Sequence, residues 1–209
     1  MPERADPDNT FFQHQLVFRW LFGFMPILLL HRSPWRDALL WRYRWAARRC
    51  RGKAVLDIPC GMGWGTSILA RAKPQRLVGI DYSTEAITDA NQRYSRTAEF
   101  KIGDMRHIDF PDESFDTVVC LEGIEHIAFQ HAPIFLAEVS RVLKSGGELL
   151  LSSPYPKTGN HSGNQFHLHE YRPEEMRALL EKYFKVTEAF SRPCANLIVS
   201  YYRAVKTVS

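Results

Sequence analysis

The chain has 209 residues, a hydrophobic fraction of 45%, a charged fraction of 24% and a formal net charge of +4. That length suits one α/β domain with some decoration and buries enough surface to fold without a disulfide or structural metal. The composition excludes a disordered or collagenous chain, and so small a net charge does not by itself imply a nucleic-acid partner.

The opening MPERADPDN is acidic rather than basic and no small-residue cleavage site follows, so no leader peptide is expected. LVFRWLFGFMPILLL, residues 16–30, is the most apolar stretch; it is short for a membrane span and is interrupted by Arg19, Gly23 and Pro26. It reads as part of a helical lid on the domain. Residues 11–30 are also the candidate for a membrane-surface contact or a pocket for an apolar substrate. RDALLWRYRWAARRC, residues 36–50, carries Leu39, Leu40, Tyr43, Ala46 and Ala47 at helical spacing. Its arginines, Arg36, Arg42, Arg44, Arg48 and Arg49, with Arg51 beyond, read as a solvated face, and an anion-binding patch is the alternative. The expected organisation is an N-terminal helical lid over 1–52 and the main α/β domain over 53–209, a single domain overall. Cys50, Cys60, Cys120 and Cys194 form no CxxC pair and fit buried, reduced thiols in a cytoplasmic protein.

From residue 53 the rhythm changes. AVLDI reads as a strand, followed by a glycine-rich turn and a helix over about 64–72. RLVGID is a second strand; STEAITDANQRY is a helix with Ser83 or Thr84 as N-cap and Glu85 in its first turn. AEFKIGD is a third strand and FDTVVCLEG a fourth, apolar through its centre as an interior strand should be. PIFLAEVSRVLK is amphipathic with a helical period, and Lys144 with Gly146-Gly147 marks its end. ELLLSS is a fifth strand. RPEEMRALLEKYF is a helix opened by Pro173, with Glu174 and Glu175 in its first turn. KVTEAF and NLIVSYYRAV then follow as an antiparallel pair at the sheet edge. Strands alternating with helices predict a parallel sheet covered on both faces.

VLDIPCGMGWG, residues 55–65, sits between the first strand and the first helix of that unit. Gly61, Gly63 and Gly65 allow backbone to approach a ligand, and the helix N-terminus favours negative charge. Asp81 ends the next strand, placed to take the two ribose hydroxyls of an adenosine. Asp104 ends the third, where it would accept from an adenine amino group.

LDIPCGMGWG, VGIDYS, GDMRHIDFPDESFDTVVCLEGIEHI and FLAEVSRVLKSGGELLLSSP resemble, in order and spacing, the motifs of class I S-adenosylmethionine-dependent methyltransferases, in particular the type 11/12 group. The resemblance covers roughly residues 53–190. It implies a Rossmann-like seven-stranded α/β sheet, mostly parallel with the last strand antiparallel, and helices on both faces. It also implies S-adenosylmethionine as cofactor, with Asp57, Gly61 and Gly63 at its methionine end. Asp81 would hold the ribose with Tyr82 beside it, Asp104 and Met105 the adenine, and Leu121 and Glu122 would pass close to the sulfonium. One departure is Pro59, where the family has glycine; proline removes an N–H and fixes φ.

CLEGIEHIAFQH places Glu122, Glu125 and His126 at i, i+3 and i+4 just past the fourth strand. If the chain turns helical there, all three share a face. Two adjacent carboxylates repel unless a cation compensates, and a divalent metal such as Mg, Mn or Zn held with imidazoles is one compensation. His161, His167 and His169 lie in a loop after the fifth strand, at the same sheet edge. The E-x-x-E-H string resembles the small-RNA ribose 2′-O-methyltransferases, which implies a metal set of Glu122, Glu125, His126 and His167. The same region resembles ubiquinone-pathway O-methyltransferases and bacterial methyltransferases of sugars and glycans, for which His126 would be a base without metal. His107 and His131 read as surface residues.

A hydroxyl needs its proton removed as it attacks an activated methyl group, whereas an amine does not, so Glu122 and His126 point to O-methylation. The expected acceptor is a hydroxyl on a small molecule, sugar, glycan, or quinone- or lipid-like compound. RNA ribose is an alternative, although no separate RNA-binding domain fits this length, and so is a non-catalytic, cofactor-binding partner subunit. A dehydrogenase is disfavoured by the later motifs. Oligomeric state is not legible.

Overall fold

A computed structural model describes residues 34–207. The apolar stretch 11–30, and with it the membrane contact considered above, lies outside those residues. Among the described residues no helix is long and apolar enough to cross a membrane.

The first helix, α1 (Pro34–Ala47), opens on proline, with Asp37 in its first turn and Arg44 in its last. Then come β1 (Ala54–Asp57), α2 (Trp64–Ala70), β2 (Arg76–Asp81), α3 (Thr84–Tyr94), β3 (Glu99–Ile102) and β4 (Phe115–Leu121). Two single-turn 3-10 segments, Ile124–His126 and Phe129–His131, lead into α4 (Ala132–Val142). β5 (Leu143–Pro156), α5 (Pro173–Leu180), β6 (Lys185–Cys194) and β7 (Leu197–Val205) complete the chain.

The strands form one seven-stranded sheet in the order β3-β2-β1-β4-β5-β7-β6. The first five are parallel, and β7 runs antiparallel between β5 and β6. The chain steps outward from β1 to β3, then returns to the other side of β1 for β4. That reversal opens a crevice beyond the carboxyl ends of β1 and β4, where doubly wound sheets bind ligands.

Strand periodicity divides the core between the two faces. Val55, Val119, Leu121 and Leu150 pack on one side with Tyr43, Trp45 and Ala46 of α1 and Ile68 and Leu69 of α2. Leu56, Val118, Cys120, Leu149 and Leu151 pack on the other with Phe135, Leu136 and Val139 of α4 and Met176 and Leu180 of α5. Alternate residues point to opposite faces, so an all-apolar strand requires cover on both. All four cysteines are buried free thiols.

Ser83 caps α3 by accepting from the Ala86 N–H at 3.2 Å, as its sequence context predicts. Several boundaries differ from expectation: the helix opened by Pro173 ends at Leu180, β6 runs on to Cys194, and β3 stops at Ile102. α2 ends at Ala70, two residues early. Lys144, Gly146 and Gly147 belong to β5 rather than to a helix end: Phe115 pairs with Leu143 and Thr117 with Glu148, so residues 144–147 bulge from the ladder. Gly146 takes φ +73° there, and the Lys144 ammonium bonds Asp116 at 2.9 Å. The glycine pair makes a bulge that sequence alone does not separate from a helix stop.

Candidate functional site

β1 delivers Asp57 to the crevice fully buried, accepting from the Thr66 hydroxyl at 2.6 Å. Burial pushes its carboxyl up to about 7; the Thr66 and Tyr43 hydroxyls oppose that, and Asp81 adds to it. A buried acid held this high would be relieved by a ligand ammonium group.

The turn after β1 carries Pro59, and the Ile58–Pro59 peptide is cis. A side chain on Gly123 would sit 2.2 Å from Pro59 Cδ, so the proline ring occupies space that Gly123 leaves. Gly61 (φ +54°) and Gly63 (φ +79°) hold the left-handed conformations that bring the chain into α2. A Cβ on Gly61 would meet nothing within 4 Å, which leaves its face open to a ligand. Asp81 ends β2 and ties the turn down: its carboxylate accepts from the Gly61 N–H at 2.8 Å and the Ser83 N–H at 2.9 Å.

Beyond β3, Asp104 is paired with Arg106, whose Nε donates to both carboxylate oxygens at 3.0 Å. Arg106 holds the Asp104 carboxyl below its usual range. Met105 is buried beside it, while Tyr82 and Ile102 stand 76% and 57% exposed. Ile102 pairs with Asp81 across β2 and β3, so an exposed apolar residue lies next to the ribose acid. Sequence reading passed over Ile102; its signal was an apolar residue at a strand end without a core to enter.

At the end of β4, Leu121 is buried and Glu122 adopts φ +55°. That left-handed residue interrupts the helical continuation expected of CLEGIEHI. Glu122 therefore does not share a face with Glu125 and His126. Its N–H donates to the Ser152 carbonyl at 2.9 Å, and its carboxylate forms an ion pair with Arg42 of α1.

Arg42 is a residue sequence reading misplaced. It was expected on a solvated face, yet it is 5% exposed and its Nε has no hydrogen-bond partner among the described residues. Burial works against its charge, but the Glu122 carboxylate and Tyr201 outweigh this and its pKa is raised. Next to it, Tyr43 packs on α2 so closely that a Cβ on Gly65 would lie 2.1 Å from the ring. The available signal was position: Leu39, Arg42, Tyr43 and Ala46 form one stripe of α1.

The 3-10 turn carries Glu125 fully buried, with the Ser153 hydroxyl 3.2 Å from its carboxylate. Burial, then the charge of Glu122, holds its carboxyl well above the ordinary range. Its backbone carbonyl accepts from Leu168 N–H at 2.7 Å and His169 N–H at 3.3 Å, which seats the loop 157–172 against the turn. This brings His167 to His126, with ring centroids 5.2 Å apart. His126 Nδ1 lies 2.9 Å from the Phe166 carbonyl and His167 Nδ1 lies 2.5 Å from Glu170 Oε1. A carbonyl can only accept, so His126 Nδ1 carries a proton, and in the neutral ring Nε2 is then the nitrogen with the lone pair. Glu125, His126 and His167 each present one donor atom, all within 4.8 Å of one another. Glu122 is outside this group. His161 and His169 are held elsewhere, the first on the His167 carbonyl at 2.8 Å and the second on Glu175 at 2.8 Å.

Residues 55–147 match the methyltransferase domain family. A probable S-adenosylmethionine-dependent methyltransferase of Mycolicibacterium smegmatis is 34% identical over 143 residues, covering 66% of this chain and 54% of that protein. A fatty-acid O-methyltransferase of the same organism is 37% identical over 108 residues, covering 51% and 39% of the two chains. The chain thus spans about half, or less, of the length of these curated relatives. Among solved structures, the [4+2]-cyclase SpnF superposes with a TM-score of 0.72 at 18% identity over 85% of each chain, a likeness of fold alone. The strand order, the glycine turn with its strand-end acids, and these matches converge: residues 55–147 carry a methyltransferase domain, and together they support a class I S-adenosylmethionine-dependent methyltransferase.

Proposed function

We propose that this protein transfers the methyl group of S-adenosylmethionine to a hydroxyl of a small, apolar acceptor. The observation that carries the reading is His126, held by the Phe166 carbonyl with its lone pair on Nε2, at the strand end that also bears Leu121 and Glu122. When bound, the cofactor supplies an electrophilic methyl on a sulfonium. The residues present fit it. Asp57 and the Arg42–Glu122 pair offer anions and a cation for a zwitterionic amino-acid end. Gly61 leaves room for the chain. Asp81 would hold the ribose beside Tyr82, and Ile102, Met105 and Asp104 would bound the base. His126 Nε2 would take the acceptor's proton as the oxygen attacks. A fatty-acid carboxylate is already ionised and needs no such base, so the imidazole favours an alcohol or phenol over the substrate class named for the mycobacterial relative. That relative's name and the exposed Phe129 and Leu168 beside the site support an apolar acceptor.

A second reading rests on the clustering of Glu125, His126 and His167. These three would hold a divalent cation, Mg, Mn or Zn. Both histidines turn Nδ1 to a carbonyl or carboxylate, the outer arrangement that orients metal-bound imidazoles. A cation there would lower a hydroxyl pKa and relieve the buried Glu125.

The test is transfer of a labelled methyl group to a panel of hydroxylated lipids, phenols, catechols and sugars, with and without EDTA, alongside calorimetry of S-adenosylhomocysteine. Transfer to a lone hydroxyl that survives EDTA and fails in His126→Ala supports the base. Transfer restricted to diols and abolished by EDTA supports the cation. Cofactor binding with transfer only to carboxylates or amines overturns both.

A further inference from the structure

At the opposite edge of the sheet, below the amino ends of β1 and β2, lies an open depression of about 290 Å³ lined by Ala47, Arg48, Arg51, Arg71, Ala72 and Lys73, its four cations exposed. Four of its six lining residues are cations and none is an acid. Three separate segments supply them: the end of α1, the turn into β1, and the end of α2 with the turn into β2. The Gly52 N–H donates to the Lys73 carbonyl at 3.1 Å, which pins two of these segments together. Lys73 is held at φ +57°, a left-handed conformation that non-glycine residues seldom adopt.

Neighbouring cations have found acids. Arg49 pairs with Glu188 at 2.6 Å, and Lys53 pairs with Glu148. Arg48, Arg51, Arg71 and Lys73 form no ion pair among the described residues. Basic residues are common at helix C-termini, where each end carries a partial charge of roughly −0.5. Two such ends meet here, too little to match four full charges gathered round one space.

We propose that this depression binds a phosphoryl group, carried either by a soluble phosphorylated compound or by a lipid headgroup. Guanidinium groups match phosphate oxygens in pairs, and arginine is the residue suited to that geometry. The depression holds more than a bare ion, so the group would enter with part of the molecule that bears it. Since it sits at the far edge of the sheet from Asp57, Asp81 and Glu122, its occupant would not compete with the nucleotide crevice.

The experiment uses the full chain with inorganic phosphate, glycerol 3-phosphate, and vesicles of phosphatidylcholine with or without phosphatidylglycerol. The double variant Arg51→Gln/Arg71→Gln is compared with Arg96→Gln/Lys185→Gln, which removes equal charge from the surface elsewhere. Thermal midpoints verify that both pairs fold. Saturable binding that weakens about tenfold or more in the first variant and not in the second is expected, as charge-assisted pairs would give. Binding of glycerol 3-phosphate alone identifies a soluble ligand; binding confined to vesicles with phosphatidylglycerol identifies a headgroup. Absence of saturable binding to every probe, or equal weakening in both variants, overturns the proposal.

Discussion

Arg42 and Glu122 face each other across the mouth of the crevice, the guanidinium side chain 6% exposed and the carboxylate 19%. One comes from α1 and the other from the turn after β4, so the pair joins the first described helix to the carboxyl end of β4. An ion pair this sheltered is costly to break from one side, because the remaining charge stays desolvated.

Arg42→Ala should therefore destabilise the fold by about 3 kcal/mol and weaken S-adenosylhomocysteine binding as well. Arg42→Met with Glu122→Gln should restore much of the stability without restoring the binding. Chemical denaturation and calorimetry on the same samples separate the two effects. Unchanged cofactor affinity in Arg42→Ala would remove this arginine from the binding site.

Asp57 gives the site a pH signature. Its carboxyl sits at about 7 in the fold against an ordinary value of 3.8, burial being the main cause. A raised acid favours the folded state while protonated. Its contribution is complete below 3.8 and is lost as pH rises through about 7. Asp57→Asn should flatten that part of the stability profile. An ammonium group brought beside Asp57 would lower its pKa, so near pH 6 binding of S-adenosylhomocysteine should release up to about one proton. Calorimetry in buffers of different ionisation enthalpy measures the release directly, and Asp57→Asn should abolish it.

His126→Ala should cut turnover by about a hundredfold or more while leaving S-adenosylhomocysteine affinity within about twofold. His167→Ala and Glu125→Gln discriminate the two readings of this cluster. Loss of a stoichiometric metal in either variant would assign them to a cation. Retained transfer in His167→Ala, with no metal in the wild type, would leave His126 as a base.

Gly65 tests how α1 is seated. Alanine is the better helix former, yet its Cβ would lie 2.1 Å from the buried Tyr43 ring. Overpacking should win, and Gly65→Ala should cost about 1–3 kcal/mol. Tyr43→Ala opens room for the new methyl group, so the double variant should be more stable than the sum of the single effects implies. A double-mutant cycle by denaturation reads the coupling.

Much of the sheet was legible because its signals are local and repeated. β1 is apolar over Ala54–Leu56 and β4 over Val118–Leu121, and a run of that kind requires cover on both faces. The positions of Asp57 and Asp81 were legible because each ends a strand beside a turn, whereas β3 stops at Ile102 and leaves Asp104 two residues beyond it. Glu122 was misread for a reason equally physical. A single left-handed residue turns E-x-x-E-H from one helical face into two diverging directions, and no spacing rule reveals which residue will adopt it. Arg42 was misread because the acid that buries it lies eighty residues away. A charged residue within an apolar stripe announces that some partner exists without naming it.

The loop 157–172 is fastened to the strand-end turn by main-chain bonds, from the N–H groups of Leu168 and His169 to the carbonyl of Glu125. Main-chain fastening is indifferent to side-chain identity. Substitution at residues 168 and 169 would therefore leave these two bonds in place and His167 at its post. If the proposed function holds, acceptor preference could drift by substitution in this one loop without moving His126.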